Sequence, residues 1–233
     1  MPPPEPPPLG RRLAAEGLGS FFLFATVIGS GIMAEALGGG NDAVALIGNT
    51  AATGAMLFVL ITMLGPISGA QMNPAVSLVA ASRGEMSWGD AAAYIAVQLL
   101  FGIAGALAAH AMFDLPLLQL SVKARSGAGQ WLAEAIATFG LVLTIWGTAK
   151  ARPKAVPASV ALYITAAYWF TSSTSFANPA ITVARSLTDS FSGIAPHDAP
   201  GFIVAQLIGA GLAALAVRAL FDHPVSDESM PLR

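Results

Sequence analysis

Residues 174–186 read TSFANPAITVARS and residues 68–80 read SGAQMNPAVSLVA, so one tripeptide, Asn-Pro-Ala, stands at 73–75 and again at 178–180. Asparagine is a favoured helix N-cap, and proline fits the first helical position, where its missing N–H would be unpaired anyway. Each copy therefore predicts a helix start, with Asn73 before Pro74 and Ala75, and Asn178 before Pro179 and Ala180. The apolar segments around them, 66–83 and 178–190, are too short or too broken to cross a bilayer core of roughly 30 Å, which takes about 20 helical residues. They read as half-helices, each reaching about half-way through the core.

The rest of the chain is written for lipid. It has 233 residues, 55% hydrophobic and only 10% charged, which is too little charge to cover a soluble domain of this length. Six segments are long enough to span, at about 13–36, 43–64, 89–112, 131–149, 157–177 and 201–221. Residues 1–12 hold six prolines and read as a disordered tail; 113–130 is a connecting loop on the outer side and 223–233 a second tail. The first apolar run carries Glu16 and leads into further apolar sequence, so it reads as a retained span rather than a cleaved signal.

Lysine and arginine in short loops favour the cytoplasmic side. With the N-terminus inside, that side holds Arg11, Arg12, Arg83, Lys150, Arg152, Lys154, Arg218 and Arg233, against Lys123, Arg125 and Arg185 outside. Both ends are therefore expected in the cytoplasm.

The two halves repeat. LAAEGLGSFF (13–22) matches WLAEAIATFG (131–140) through Glu16 and Glu134, and YIAVQLLFGIAGALAA (94–109) matches FIVAQLIGAGLAALAV (202–217) through Gln98 and Gln206. Each half, 13–112 and 131–222, is three spans with a short helix inserted before the third. An odd number of crossings per half turns the halves opposite ways in the membrane. The two half-helices then meet N-terminus to N-terminus near the midplane. Their positive dipole ends and the Asn73 and Asn178 amides repel a cation there, but offer hydrogen bonds to a neutral hydroxylated solute.

Other chemistries find no support. The chain has no cysteine, and His110, His197 and His223 are scattered, so no metal site and no cofactor is expected. A net charge of -2 points to no nucleic-acid partner. No histidine lies mid-span and no Gly-x-Ser-x-Gly elbow is present, so the chain does not read as an enzyme. A secondary transporter built from inverted repeats is the alternative to a passive channel. It would need coupling groups, and the midplane carries no Asp, His or Lys.

The duplicated Asn-Pro-Ala, the paired glutamates and GPISGAQMNPAV resemble the aquaporin and aquaglyceroporin (major intrinsic protein) family over residues 10–222. The resemblance implies an all-α membrane fold of six spans and two re-entrant half-helices around one pore per chain, with four chains in a homotetramer. It also implies that Glu16 and Glu134 brace the loops leading into the half-helices. In relatives an outer filter includes an arginine three residues after the second asparagine. Here that position is Ile181, and counting back from each asparagine assigns the rest to Thr53, Ala166 and Ser175.

A filter without the usual aromatic, imidazole and guanidinium should be wide and uncharged. Arg185, four residues after Ile181, is either a displaced filter cation or a side chain engaged with loop carbonyls or Asp189. The stretch AAYWFTSSTSFANPAITVARSLTDSF (166–191) is similar to a bacterial subgroup associated with arsenic resistance. That resemblance implies a channel of the inner membrane whose solutes include water, arsenite and other metalloid hydroxides, methylated arsenicals and polyols. Relatives that select glycerol carry Asp directly after the filter arginine, where this chain has Thr182.

Overall fold

Eight α-helices and one 3-10 turn account for the regular structure of residues 7–222, which the computed structural model describes. In chain order they are α1 (Leu9–Gly38), α2 (Asp42–Ser68), α3 (Pro74–Ser82), α4 (Trp88–Met112), α5 (Ala128–Ala151), a 3-10 turn (Pro153–Ala155), α6 (Val156–Phe170), α7 (Pro179–Ser186) and α8 (Ala199–Phe221). Five of them, α1, α2, α4, α5 and α8, are long and apolar enough to cross a membrane. Long apolar side chains such as Leu100, Leu132, Leu162 and Leu215 are exposed on the outside of the bundle, as a surface solvated by lipid requires.

Several predicted boundaries move. Half of the expected tail 1–12 and all of the expected tail 223–233 lie outside the described residues, but α1 already starts at Leu9, directly after Pro8, and Arg12 pairs with Asp90 at 2.7 Å. The expected span 157–177 stops at Phe170, because the run Thr171-Ser172-Ser173-Thr174-Ser175 competes for the backbone. The Thr171 hydroxyl donates to the Ala167 carbonyl at 2.6 Å and its backbone turns extended. Residues 171–178 are instead a loop that descends to Asn178. Likewise residues 66–68 complete α2 before Gly69 turns left-handed, so the first half-helix is Pro74–Ser82, and the second ends at Ser186 rather than 190.

The helices pack as two equivalent groups. α1 lies against α2 and α4, α5 lies against α6 and α8, and α2 meets α6 between the groups. α3 and α7 are held inside, each touching both α4 and α8. The long helices approach closely where glycine permits. A Cβ at Gly105 would collide with the Phe21 carbonyl, and one at Gly209 with the Ala135 carbonyl. Arg83 reaches Asp222 at 3.0 Å, while Arg12 reaches Asp90, so the start of α1 and the end of α8 lie on one face.

The loops into α3 and α7 are irregular backbone deep in the bundle, and each is held by one carboxylate. Glu16 accepts from the Ser68 hydroxyl at 2.7 Å, the Gln71 and Met72 amides at 2.9 and 2.7 Å, and the Gln98 side chain at 2.9 Å. Glu134 accepts from the Phe176 and Ala177 amides at 2.8 and 2.9 Å and from Gln206 at 2.6 Å. Both glutamates are fully buried. A buried amide left without an acceptor costs about 1–3 kcal/mol, so removing an acceptor of several donors is expensive. Glu16→Leu is therefore expected to lower stability by about 3 kcal/mol or more, with Glu16→Gln in between. Thermal unfolding in detergent checks this, and an unchanged midpoint for Glu16→Leu would show that the brace is dispensable.

Candidate functional site

The two half-helices start in near-identical backbone. Asn73 has φ -157° and ψ 115°, Asn178 has φ -156° and ψ 113°. Each asparagine divides its amide between two tasks. The oxygen caps its own helix: Asn73 Oδ1 accepts from the Ala75 amide at 3.0 Å, and Asn178 Oδ1 from the Ala180 and Ile181 amides at 3.0 and 3.3 Å. The nitrogen crosses to the other half, with Asn73 Nδ2 donating to the Ala177 carbonyl and Asn178 Nδ2 to the Met72 carbonyl, both at 2.8 Å. An amide nitrogen carries two N–H groups, so each asparagine keeps one donor after tying the halves together.

The loops before the asparagines also match. Left-handed backbone occurs at Ala70 and Met72 in one and at Ser175 and Ala177 in the other, with φ between 46° and 50°. A left-handed non-glycine residue costs on the order of 1–2 kcal/mol, and the glutamate and asparagine bonds hold these turns in place. Gly69 to Asn73 and Ser175 to Asn178 line a cavity of about 260 Å³ along the middle of the bundle. Apolar side chains such as Leu23, Leu57, Leu141 and Ile164 form the rest of its wall. A polar stripe on an otherwise apolar tube, with two helix N-termini aimed at its centre, suits a small uncharged hydrogen-bonding solute.

Of the sequence-predicted residues, Asn73, Asn178, Thr53, Ser175, Ile181 and Arg185 all line this cavity. Pro74, Ala75, Pro179 and Ala180 are buried in the first turns of α3 and α7, where they let the helix starts pack. Thr182 belongs to the brace: its hydroxyl donates to the Asn178 carbonyl at 2.9 Å and accepts from Gln206 at 2.9 Å, as Ser77 does with Asn73 and Gln98 in the other half.

Ala166 is misassigned. It is exposed on the outside of α6, and the cavity-lining residues of that helix are Val160, Ile164 and Tyr168. Counting back from Asn178 presumes a fixed loop length, whereas the helical period carried outward from Val160 and Ile164 reaches Tyr168. An aromatic ring therefore does stand in the outer half of the cavity. The Tyr168 hydroxyl lies 3.4 Å from the Thr53 hydroxyl.

Arg185 is engaged with the backbone of its own loop and also borders the cavity. Its Nε donates to the Ser192 carbonyl and its guanidinium stacks on the Phe176 ring, 3.4 Å from the centroid, yet it also lines the cavity. Asp189 is turned elsewhere, accepting from the Val122 amide at 3.2 Å. Arg125, read as an ordinary loop charge, is buried. It donates to the Gly193 carbonyl at 2.8 Å and the Ser173 carbonyl at 3.2 Å, with its guanidinium 5.2 Å from the Phe176 ring. Lys123 donates to the Phe191 carbonyl at 2.9 Å. Burial, reinforced by Arg125, pushes the Lys123 ammonium below the ordinary lysine value. Carboxylates share these loops with the three cations, Glu35 accepting from the Phe191 amide at 2.8 Å and Asp198 from the Arg125 amide at 2.8 Å.

At the opposite end the cavity is lined by Glu85 and Trp146, whose indole N–H donates to the Glu85 carboxylate at 2.8 Å. Arg83 donates to the same carboxylate at 2.8 Å.

The profile of the Major intrinsic protein family matches residues 6–176. The chain is 54% identical over 225 residues to aquaglyceroporin AqpS of Rhizobium meliloti (strain 1021), covering 96% of both proteins. It is 32% identical over 145 residues to aquaporin NIP3-1 of Oryza sativa subsp. japonica, which is 60% of this chain and 45% of the rice protein. Its fold is similar to that of the aquaglyceroporin from Plasmodium falciparum, with a TM-score of 0.70 over 91% of this chain and 97% of the other at 19% identity. With two asparagine-capped half-helices crossed in one membrane-spanning bundle, and with these similarities in sequence and fold, the chain belongs to the major intrinsic protein family.

Proposed function

We propose that this channel conducts metalloid hydroxides such as arsenite, and also methylated arsenicals and glycerol, by passive diffusion through a filter that lacks an arginine at its narrow section. The observation that carries the reading is Ile181, an aliphatic side chain lining the cavity one helical turn inward of Arg185. With Thr53 and Ser175 it makes a wall of mixed polarity rather than a ring of charged donors. At neutral pH arsenite is mainly uncharged As(OH)3, which exchanges hydrogen bonds as a polyol does. The absence of cysteine favours the same reading, because trivalent arsenic is a soft acceptor that thiolates would retain. Arg185, displaced outward and backed by Arg125 and Lys123, serves as the barrier to cations at the outer mouth.

The setting proposed is a homotetramer in a bacterial inner membrane with both termini cytoplasmic. Support comes from the shared face of the start of α1 and the end of α8 and from the charge bias of the loops. A coupled transporter is disfavoured, because the centre of the cavity carries neutral amides and carbonyls rather than proton-carrying groups.

Light scattering from proteoliposomes, challenged in parallel with an impermeant sugar, glycerol and arsenite, is expected to show rapid and non-saturating arsenite entry. Water flux alone would contradict the reading. In the same assay Ile181→Arg is expected to cut arsenite and glycerol entry about tenfold or more while water flux persists, since it restores a bulky cation to the lumen. Arg185→Ala is expected to raise cation leak at constant water permeability. Equal leak in the variant and the parent would reduce Arg185 to a support for its loop.

A further inference from the structure

We infer that Tyr168 determines the specificity of the outer half of the pore, its ring limiting the width and its hydroxyl, paired with Thr53, selecting solutes that carry several hydroxyl groups. This deepens the channel reading above and rests on it.

Tyr168 and Thr53 come from different walls, α6 and α2, and each is 3% exposed, so their visible surface is the lumen itself. Their hydroxyl oxygens are 3.4 Å apart. An unstrained O–H···O bond is about 2.7–2.8 Å, so this one is weak and readily exchanged. Each hydroxyl can donate once and accept twice, which leaves the pair open to a solute that donates to one member while accepting from the other. Ile181 lines the same cavity but offers only hydrocarbon, and Arg185 has its Nε committed to Ser192. The hydroxyl pair is thus a place where a polyhydroxylated solute can replace lost water contacts as it passes the aliphatic wall. Water needs no such help. A solute as large as glycerol but poor in hydroxyls would have to leave its hydration unreplaced.

The ring acts separately. Tyr168 fills space that an alanine at the same helical register would leave open, so the section is narrower than a filter of Thr53, Ser175, Ile181 and alanine. A width limit set by one side chain makes a sharp test.

Proteoliposomes carrying the full chain, Tyr168→Phe, Tyr168→Ala and Thr53→Val are compared for water, glycerol, arsenite and the larger polyol erythritol. Tyr168→Phe and Thr53→Val are expected to lower the ratios of glycerol and arsenite permeability to water permeability about threefold to tenfold, the worth of one exchanged hydrogen bond. The parent is expected to exclude erythritol and Tyr168→Ala to admit it. Wild-type ratios of glycerol and erythritol to water in all three variants would overturn the inference while leaving the channel reading intact. If the parent passes water alone, the solute reading fails by itself. Tyr168→Ala must then still open the pore to glycerol for the role of Tyr168 to stand.

Discussion

Irregular backbone inside a membrane protein must find partners for its N–H and C=O groups, and the rest of this structure depends on how that demand is met. Two helices begin at the centre of the bundle, each reached by a loop that would otherwise leave amides unpaired. Glu16 and Glu134 answer those amides from α1 and α5, and Gln98 and Gln206 steady the glutamates from α4 and α8. The crossed amide bonds of Asn73 and Asn178 then fasten the two loops to each other. Four long helices and both half-helices are thereby tied to one point.

Selectivity grows out of the same arrangement. Because the glutamates take the loop N–H groups, the opposite side of each loop faces the lumen and supplies its polar stripe. Because the asparagines must cap and cross, each has one remaining donor for a passing solute. The helix dipoles converge there and repel cations without any charged side chain at the midplane. In the function proposed, discrimination among neutral solutes falls to the section where Thr53, Tyr168, Ile181 and Arg185 stand on three different elements.

The central machinery was legible because it rests on local rules. Asn-Pro marks a helix start whatever surrounds it, and an intramembrane carboxylate announces a partner. The repeat of Glu16, Gln98 and Asn-Pro-Ala in Glu134, Gln206 and the second Asn-Pro-Ala was readable for the same reason. The outer section was harder. Placing Ala166 in the lumen required the length of the loop after α6, and the Ser/Thr run that ends this helix at Phe170 altered the register. Tyr168 was available through the period of Val160 and Ile164, but only once α6 was known to present that face inward. Arg125 gave no signal, since its burial depends on carbonyls of Ser173 and Gly193 far along the chain.

The central claim is that solute travels along the stripe between the two asparagines, past the Thr53–Tyr168 pair. Anomalous X-ray scattering from crystals soaked in arsenite tests it most directly, since arsenic is located by its own signal and the chain has no cysteine to capture it elsewhere. Arsenic is expected inside the lumen, beside the carbonyls of residues 69–72 and 175–177 and at the hydroxyl pair. Ordered arsenic confined to the surface of the bundle or to the crevices between helices, with a lumen free of it at saturating concentration, would contradict the claim.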